Sequence, residues 1–368
     1  MSPRTRLVAV IAGLLLLGQA GCDRSPTAPP GVLDEGRAGR WVTASPESRG
    51  LDAAVLSALA SEIDAGLHGE ITSLLVVRHG RLVYERYWNE AGPADLHVVN
   101  SVTKSVTSLL IGMAVHDGTL PHTDVPVLDL LAPRELSDPE GKERITLAHV
   151  LTMRTGLAWD EWSTNYAEAA NPVASLVRSD DWPRFTLDLP FDAEPGTRFT
   201  YNSGVSVLMS AVLDRALGRT AESFAVERLF TPLGIEQWRW TRTSGGLSNA
   251  GWGLSLRPRD MAAIGQLILQ EGVWDRSPVV PAEWIEASTV AATRFTDGTG
   301  YGYQWWLGRD DGAGRAIAAW GYGGQFIVAV PSLDLVIVTT AENFFGGGFD
   351  PWILADRGYR AAGVAPPL

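Results

Sequence analysis

Segments with a β-strand pattern lie at both ends of this chain, and segments with a helical pattern lie between them. The strand-like segments are residues 71–77, 82–88, 301–307, 316–330 and 333–340. His79-Gly80 separates the first two, which indicates a hairpin. Because neighbouring strands must share one core, the pattern predicts an α/β (α+β) fold in which an antiparallel sheet built from both ends is flanked by helices. The middle of the chain then forms an all-helical insertion.

Apolar residues at helical spacing mark the segments between the strands. The predicted helices cover residues 51–66, 102–116, 204–217, 221–229, 258–271 and 350–362. We therefore expect the sheet-containing part to comprise residues 47–125 and 246–368, and the mainly helical insertion to comprise residues 126–245.

The first residues have the composition of an export signal. Arg4 and Arg6 precede an apolar run of eleven residues, which is too short to span a bilayer and suits a secretory signal over residues 1–21. Cys22 follows and resembles the lipid-attachment cysteine of bacterial lipoproteins. We expect an exported, periplasmic or cell-envelope protein that is lipid-anchored at Cys22 and has a flexible tether over residues 22–46. An ordinary signal peptide with a chance cysteine is the alternative.

A serine and a lysine at helical spacing are the first candidates for catalysis. Lys104 follows Ser101 by three positions, so both side chains fall on the same face of a helix. Serine needs a neighbour to take its proton, and a buried amine can do so when burial lowers its pKa. Of 30 basic residues only Lys104 and Lys142 are lysines. Arginine cannot act as a base, so a lysine in so arginine-rich a chain is informative.

Two later segments supply partners for this pair. Tyr201 follows a Pro-Gly turn just before an apolar helix, and its phenol could relay protons if cationic neighbours lower its pKa. Residues 321–325 read Gly-Tyr-Gly-Gly-Gln before an apolar strand, and glycines there let a substrate approach the backbone. Neither segment is specific alone, since a core tyrosine and a glycine-rich turn are both common.

Ser101-Val102-Thr103-Lys104, Tyr201 and 321–325, in this order, make the chain resemble a family of penicillin-recognising proteins. That family contains class C β-lactamases, D-alanyl-D-alanine peptidases, and related esterases and 6-aminohexanoate-dimer hydrolases. The resemblance covers residues 50 to 360 and implies the β-lactamase/transpeptidase-like fold. It implies that Ser101 attacks a carbonyl while Lys104 and Tyr201 shuttle its proton, that the N–H groups of Ser101 and Gln325 form the oxyanion hole, and that no cofactor is needed.

The chain departs from the family pattern at two positions. Ser203 stands where the tyrosine motif often has asparagine, and Tyr322 stands where the third motif often has lysine or histidine. These changes favour a serine hydrolase for less anionic esters or amides, in the manner of 6-aminohexanoate-dimer hydrolases. A β-lactamase or D-alanyl-D-alanine carboxypeptidase, and a ligand sensor without turnover, are the alternatives. The residues expected to line the substrate cleft are Ser203, Tyr322, Gly323, Gly324 and Trp159.

Other kinds of site are disfavoured. All six histidines precede residue 150 and no Gly-x-Ser-x-Gly occurs, which disfavours a Ser-His-Asp hydrolase. No His-x-His or His-Glu-x-x-His pattern suggests a metal site. A formal charge of −12 disfavours nucleic acid as a partner. Glu161 and Asn165 have the spacing of the class A deacylation loop but precede Tyr201, so we interpret that spacing as coincidence.

Overall fold

A computed structural model describes residues 41–131, 136–310, 314–344 and 349–367. The predicted signal over residues 1–21, Cys22 and most of the predicted tether lie outside the described residues. The end of the predicted tether does not behave as expected, because residues 42–44 pair with Leu82 at an edge of the sheet. Leu82 N donates to Val42 O and Ala44 N donates to Leu82 O, each at 3.1 Å. The folded part therefore includes residues 41–46.

The structure contains one large antiparallel sheet and two small ones. The strands, in chain order, are β1 Ile71–Arg78, β2 Arg81–Tyr87, β3 His97–Val98, β4 Arg239–Trp240, β5 Leu254–Leu256, β6 Val273–Trp274, β7 Ser277–Pro278, β8 Thr293–Arg294, β9 Gly300–Tyr301, β10 Trp306–Asp310, β11 Arg315–Gly321, β12 Gln325–Val330 and β13 Leu335–Ala341. Within the described residues, eight strands form the large sheet in the order β2-β1-β13-β12-β11-β10-β9-β8. Its strands come from both ends of the chain, as the sequence predicts. The small sheets have the orders β3-β5-β4 and β6-β7.

Helices cover both faces of the large sheet and fill the middle of the chain. In chain order they are α1 Ala53–Asp64, α2 Val102–His116, α3 Val127–Leu131, α4 Leu147–Leu151, α5 Pro172–Arg178, α6 Trp182–Leu187, α7 Ser203–Leu217, α8 Ala221–Ala225, α9 Thr231–Leu233, α10 Pro258–Leu269, α11 Ala282–Ser288 and α12 Pro351–Ala361. Short 3₁₀ turns span Glu47–Arg49, Lys142–Arg144 and Pro331–Leu333, and a π turn spans Val226–Phe230. That π turn occupies the end of the helix predicted over 221–229.

The two faces of the sheet divide the core into two layers. Side chains alternate along a strand, so Leu74 and Val76 of β1 pack with α1 and α12, whereas Leu75 and Val77 pack with α2 and α10. A strand that is buried on both faces must be apolar at nearly every position, which explains the continuous run in β1. This arrangement buries α2 between the sheet and the helical segment, and the start of α2 carries Ser101.

Two segments that the sequence predicts as single strands are interrupted. Gln304 divides residues 301–307 because its backbone adopts φ +64°, and its buried amide donates to Val150 O at 3.0 Å and Leu151 O at 2.9 Å. Residues 316–330 divide at a turn in which Gly323 and Gly324 have φ of +87° and +95°. Both interruptions depend on contacts with distant segments. A local sequence pattern carries no information about such contacts.

Candidate active site

Ser101 lies at the start of α2 and is held there by its neighbour Asn100. Asn100 adopts φ +49°, a left-handed conformation that asparagine tolerates better than most residues. Its Nδ2 donates to the carbonyl oxygen of Tyr322 at 2.7 Å. β3 and β5 fix the same segment, since Val99 N donates to Leu254 O at 2.9 Å. The hydroxyl of Ser101 is consequently presented from a turn that is tied to two other parts of the chain.

Lys104 lies one helical turn after Ser101 and is 1% exposed. Its Nζ is 2.9 Å from Ser101 Oγ, 3.0 Å from Ser203 Oγ and 2.7 Å from Gly251 O. Burial lowers the pKa of Lys104 to about 8, although the charge of Glu161 opposes this shift and raises it. The amine is therefore neutral in a large fraction of molecules near pH 8, with its nitrogen within hydrogen-bonding distance of the serine hydroxyl.

Tyr201 meets these two residues from the loop before α7. Its ring centroid is 5.0 Å from Lys104 Nζ, and its phenol faces the Ser101 side chain closely enough for that side chain to affect the pKa of the phenol. Burial, and next the charge of Glu161, raise the pKa of Tyr201, while the Ser101 side chain lowers it. The net shift is upward, so the lowered pKa that was the condition for a proton relay by this phenol is not found. Tyr201 rests as a neutral phenol, which can donate a proton.

Glu161 lies behind the lysine and is 2% exposed. Its Oε1 accepts from Ser203 Oγ and from Tyr166 Oη, each at 2.8 Å. Its Oε2 accepts from Ser203 N at 2.8 Å and from Trp159 Nε1 at 2.6 Å. The sequence led us to set Glu161 aside, but the structure brings its carboxylate into the hydrogen-bond network of Lys104. Ser203, expected to line the cleft, instead connects Lys104 to this carboxylate.

The turn between β11 and β12 lies directly against the segment before Ser101. A Cβ on Gly321 would be 2.2 Å from the carbonyl oxygen of Val99, so only glycine allows this approach. Gln325 begins β12, is buried, and donates through its side-chain amide to Ala341 O. The oxyanion hole from the N–H groups of Ser101 and Gln325 stays a prediction.

Aromatic side chains border this site. Trp162 is 60% exposed and stacks on Tyr201, with ring centroids 5.2 Å apart. Tyr322 is 36% exposed and meets the ring of Tyr166 edge-on at 5.0 Å. Trp159, expected to line the cleft, is 8% exposed because its indole packs inward and donates to Glu161. Trp162, and not Trp159, presents an open aromatic face beside Tyr201.

Comparison with known proteins agrees with this fold. A sequence model of the beta-lactamase family matches residues 59–352. The chain belongs to the beta-lactamase family. The 6-aminohexanoate-dimer hydrolase of Paenarthrobacter ureafaciens is 25% identical to this family member over 290 residues, or 72% of this chain and 71% of that protein. The lovastatin esterase of Penicillium rubens is 27% identical over 200 residues, or 48% of this chain and 47% of the esterase.

Solved structures share the architecture of this chain. The octameric penicillin-binding protein homologue from Pyrococcus abyssi superposes with a TM-score of 0.67 at 20% identity, covering 85% of this chain and 78% of that one. The family resemblance and the predicted fold class, an antiparallel sheet flanked by helices with a helical segment between, are thereby confirmed.

Three contributors to the site were missed from the sequence of this beta-lactamase-family chain. Asn100 carried one signal, since asparagine before a helix suits a left-handed backbone. Glu161 carried a weak signal, its spacing to Asn165, which we interpreted as coincidence. Gly251 carried no sequence signal, because only the folded chain brings its carbonyl oxygen to the amine of Lys104.

The described residues contain no group of three or more histidine, cysteine, aspartate or glutamate side chains arranged to hold a metal ion. In the same part of the chain no helix combines the length and the apolar character that a membrane crossing requires.

Proposed function

We propose that this chain is a serine hydrolase that cleaves an ester or amide bond through an acyl-serine at Ser101. One observation carries the proposal: the Lys104 amine lies 2.9 Å from Ser101 Oγ, and burial lowers its pKa to about 8. A neutral amine at hydrogen-bonding distance can accept the hydroxyl proton during attack. The hydrolase and esterase names of the two curated relatives support the same class of reaction.

The roles of the three residues follow from their protonation states. Ser101 Oγ attacks the carbonyl carbon as Lys104 takes its proton, and the neutral phenol of Tyr201 donates a proton to the departing alcohol or amine. In the second half, water gives a proton to the Tyr201 phenolate and its hydroxyl to the acyl carbon. Ser101 leaves with the proton held by Lys104, which restores the starting state. The N–H groups of Ser101 and Gln325 would stabilise the oxyanion in both halves.

The surroundings of Ser101 favour a substrate without a carboxylate. Tyr322 stands where a cation would otherwise seat an anionic group, and the open face of Trp162 offers apolar contact. The buried Glu161 adds negative charge behind the lysine. We therefore infer that neutral esters or amides are preferred over β-lactams and D-alanyl-D-alanine peptides.

Steady-state hydrolysis of p-nitrophenyl butyrate by the purified protein tests the proposal. Continuing release of p-nitrophenol that disappears in Ser101→Ala supports the hydrolase. One stoichiometric burst followed by silence would instead identify the sensor without turnover. Nitrocefin, assayed beside it, is expected to be turned over slowly, and rapid turnover would refute the role assigned to Tyr322.

A further inference from the structure

The catalytic lysine has a buried carboxylate behind it that the proposed mechanism does not use. Each oxygen of Glu161 accepts two hydrogen bonds, and its four donors are Ser203 N, Ser203 Oγ, Trp159 Nε1 and Tyr166 Oη. The two N–H donors can only donate, and four donors suit the acceptor capacity of an ionised carboxylate. A buried anion held this firmly fixes the direction of the hydroxyl that contacts it.

The protons on a neutral Lys104 amine have only one consistent arrangement. Gly251 O can only accept, so one N–H of the amine points to it at 2.7 Å. Ser203 gives its own hydroxyl proton to Glu161, so its oxygen accepts the second N–H of the amine at 3.0 Å. Both protons are then used, and the lone pair is left facing Ser101 Oγ at 2.9 Å. That direction is the one a base needs.

We propose that Glu161 is a positioning residue that makes the Ser203 hydroxyl an acceptor and thereby aims the lone pair of Lys104 at Ser101. The inference rests on the proposed function of Ser101 and Lys104. It also explains how the site works with Ser203 at the position where asparagine was expected. A lone serine hydroxyl can either donate or accept, and the carboxylate removes that ambiguity.

Glu161 has a second effect that a purely structural residue would not have. Among the described residues, Glu161 and Tyr201 act on the Lys104 amine, and Tyr166 from the loop before α5 and Tyr301 of β9 interact in turn with Glu161. The charge of Glu161 raises the pKa of Lys104 against the effect of burial. Because only the neutral amine can accept a proton, removing this charge should move the acid limb of the rate profile to lower pH.

The test compares Glu161→Gln, Ser203→Ala and the double variant in hydrolysis of p-nitrophenyl butyrate. We expect kcat to fall about 10- to 100-fold in each single variant, with KM changed by about twofold or less. The acid limb should move down by about one pH unit in Glu161→Gln. In Ser203→Ala the limb should move less, since the carboxylate remains. The double variant should lose no more activity than the worse single variant, because Glu161 acts through Ser203.

Asp260→Asn is the matched control, because Asp260 of α10 is an equally buried carboxylate that pairs with Arg257, the residue before α10. It should lower stability and leave the acid limb in place. Circular dichroism establishes folding of every variant. A folded Glu161→Gln with parental kcat and acid limb, or additive losses in the double variant, would overturn the inference.

If Glu161→Gln does not fold, Ser203→Ala decides, and parental kcat in that variant would overturn the inference. The proposed function is tested separately by Ser101→Ala. Activity that persists in Ser101→Ala refutes the proposed function itself. Activity that is lost in Ser101→Ala but unchanged in Glu161→Gln refutes only the role of Glu161.

Discussion

Lysine and arginine differ in the property that a base at position 104 needs, which is the ability to lose a proton. Lys104→Arg keeps a positive charge in α2 but cannot accept the Ser101 proton. We expect kcat for p-nitrophenyl butyrate to fall about 10²- to 10⁴-fold while the far-ultraviolet circular dichroism is retained. Lys142→Arg makes the same change at the other lysine and should keep turnover. Comparable activity in both variants would contradict the assignment of the base.

The pH dependence of turnover follows from the same amine. The pKa of Lys104 is lowered to about 8, and the base works only when it is unprotonated. The fraction of competent enzyme therefore rises as the pH rises through this value. We expect kcat/KM to show an acid limb with a midpoint near pH 8, measured between pH 5.5 and about 9.5 in buffers of constant ionic strength. A flat profile across that interval would argue against Lys104 as the base.

At the same scale, the sequence could predict that Ser101, Lys104 and Tyr201 come together, but not the residues that contact them next. Motif order and helical spacing carry the first kind of information. Only after distant segments pack does the carbonyl oxygen of Gly251 contact Lys104, and does Ser203 connect Lys104 to the carboxylate of Glu161. The direction of the Tyr201 pKa shift was missed for the same reason, since burial of the phenol depends on the whole fold.

Among the elements, the turn between β11 and β12 depends most on a single residue. Gly321→Ala would place a Cβ 2.2 Å from Val99 O, and a backbone carbonyl cannot rotate away as a side chain can. We expect a loss of about 1–3 kcal/mol in the free energy of unfolding, by urea titration, together with lower kcat because the segment before Ser101 moves. Gly92→Ala is the control, since the nearest atom to its Cβ would be 3.7 Å away. Equal stability of the two variants would contradict the close packing described here.

The extent of the helices and strands was predicted well where one face or both faces are buried. α2 spans Val102–His116, as its apolar spacing indicates, and α12 spans Pro351–Ala361 within the predicted 350–362. The predictions failed where long-range contacts interrupt a predicted strand. The φ +64° of Gln304 and its bonds to Val150 and Leu151 interrupt a segment whose residues have strand character. The spacing of apolar residues indicates which positions are buried locally, but it carries no information about hydrogen bonds to distant segments.

For the whole molecule, the order of β- and α-rich segments was enough to predict a sheet assembled from both ends of the chain. This inference needed only that neighbouring strands share a core. It did not predict that residues 42–44 pair with the edge of the sheet, because their side chains carry little pattern and the pairing uses backbone groups of Val42 and Ala44. The folded part consequently starts closer to Cys22 than the predicted tether implies.

We further propose that the chain is exported and anchored through a lipid on Cys22, on the basis of its sequence alone. Expressed in full in a bacterium, the protein should partition into the detergent phase of Triton X-114, and Cys22→Ser should move it to the aqueous phase without changing kcat. Intact mass spectrometry should show the added lipid. Aqueous partitioning of the parental protein with an unmodified Cys22 would contradict the anchor.

The central claim is that Lys104 activates Ser101 as the nucleophile. The most direct measurement is the rate of covalent labelling by a fluorophosphonate, followed by peptide mapping. We expect a single adduct on Ser101 that forms faster as the pH rises through about 8 and forms far more slowly in Lys104→Arg. An adduct on another residue, or labelling of Ser101 at an undiminished rate in Lys104→Arg, would contradict it.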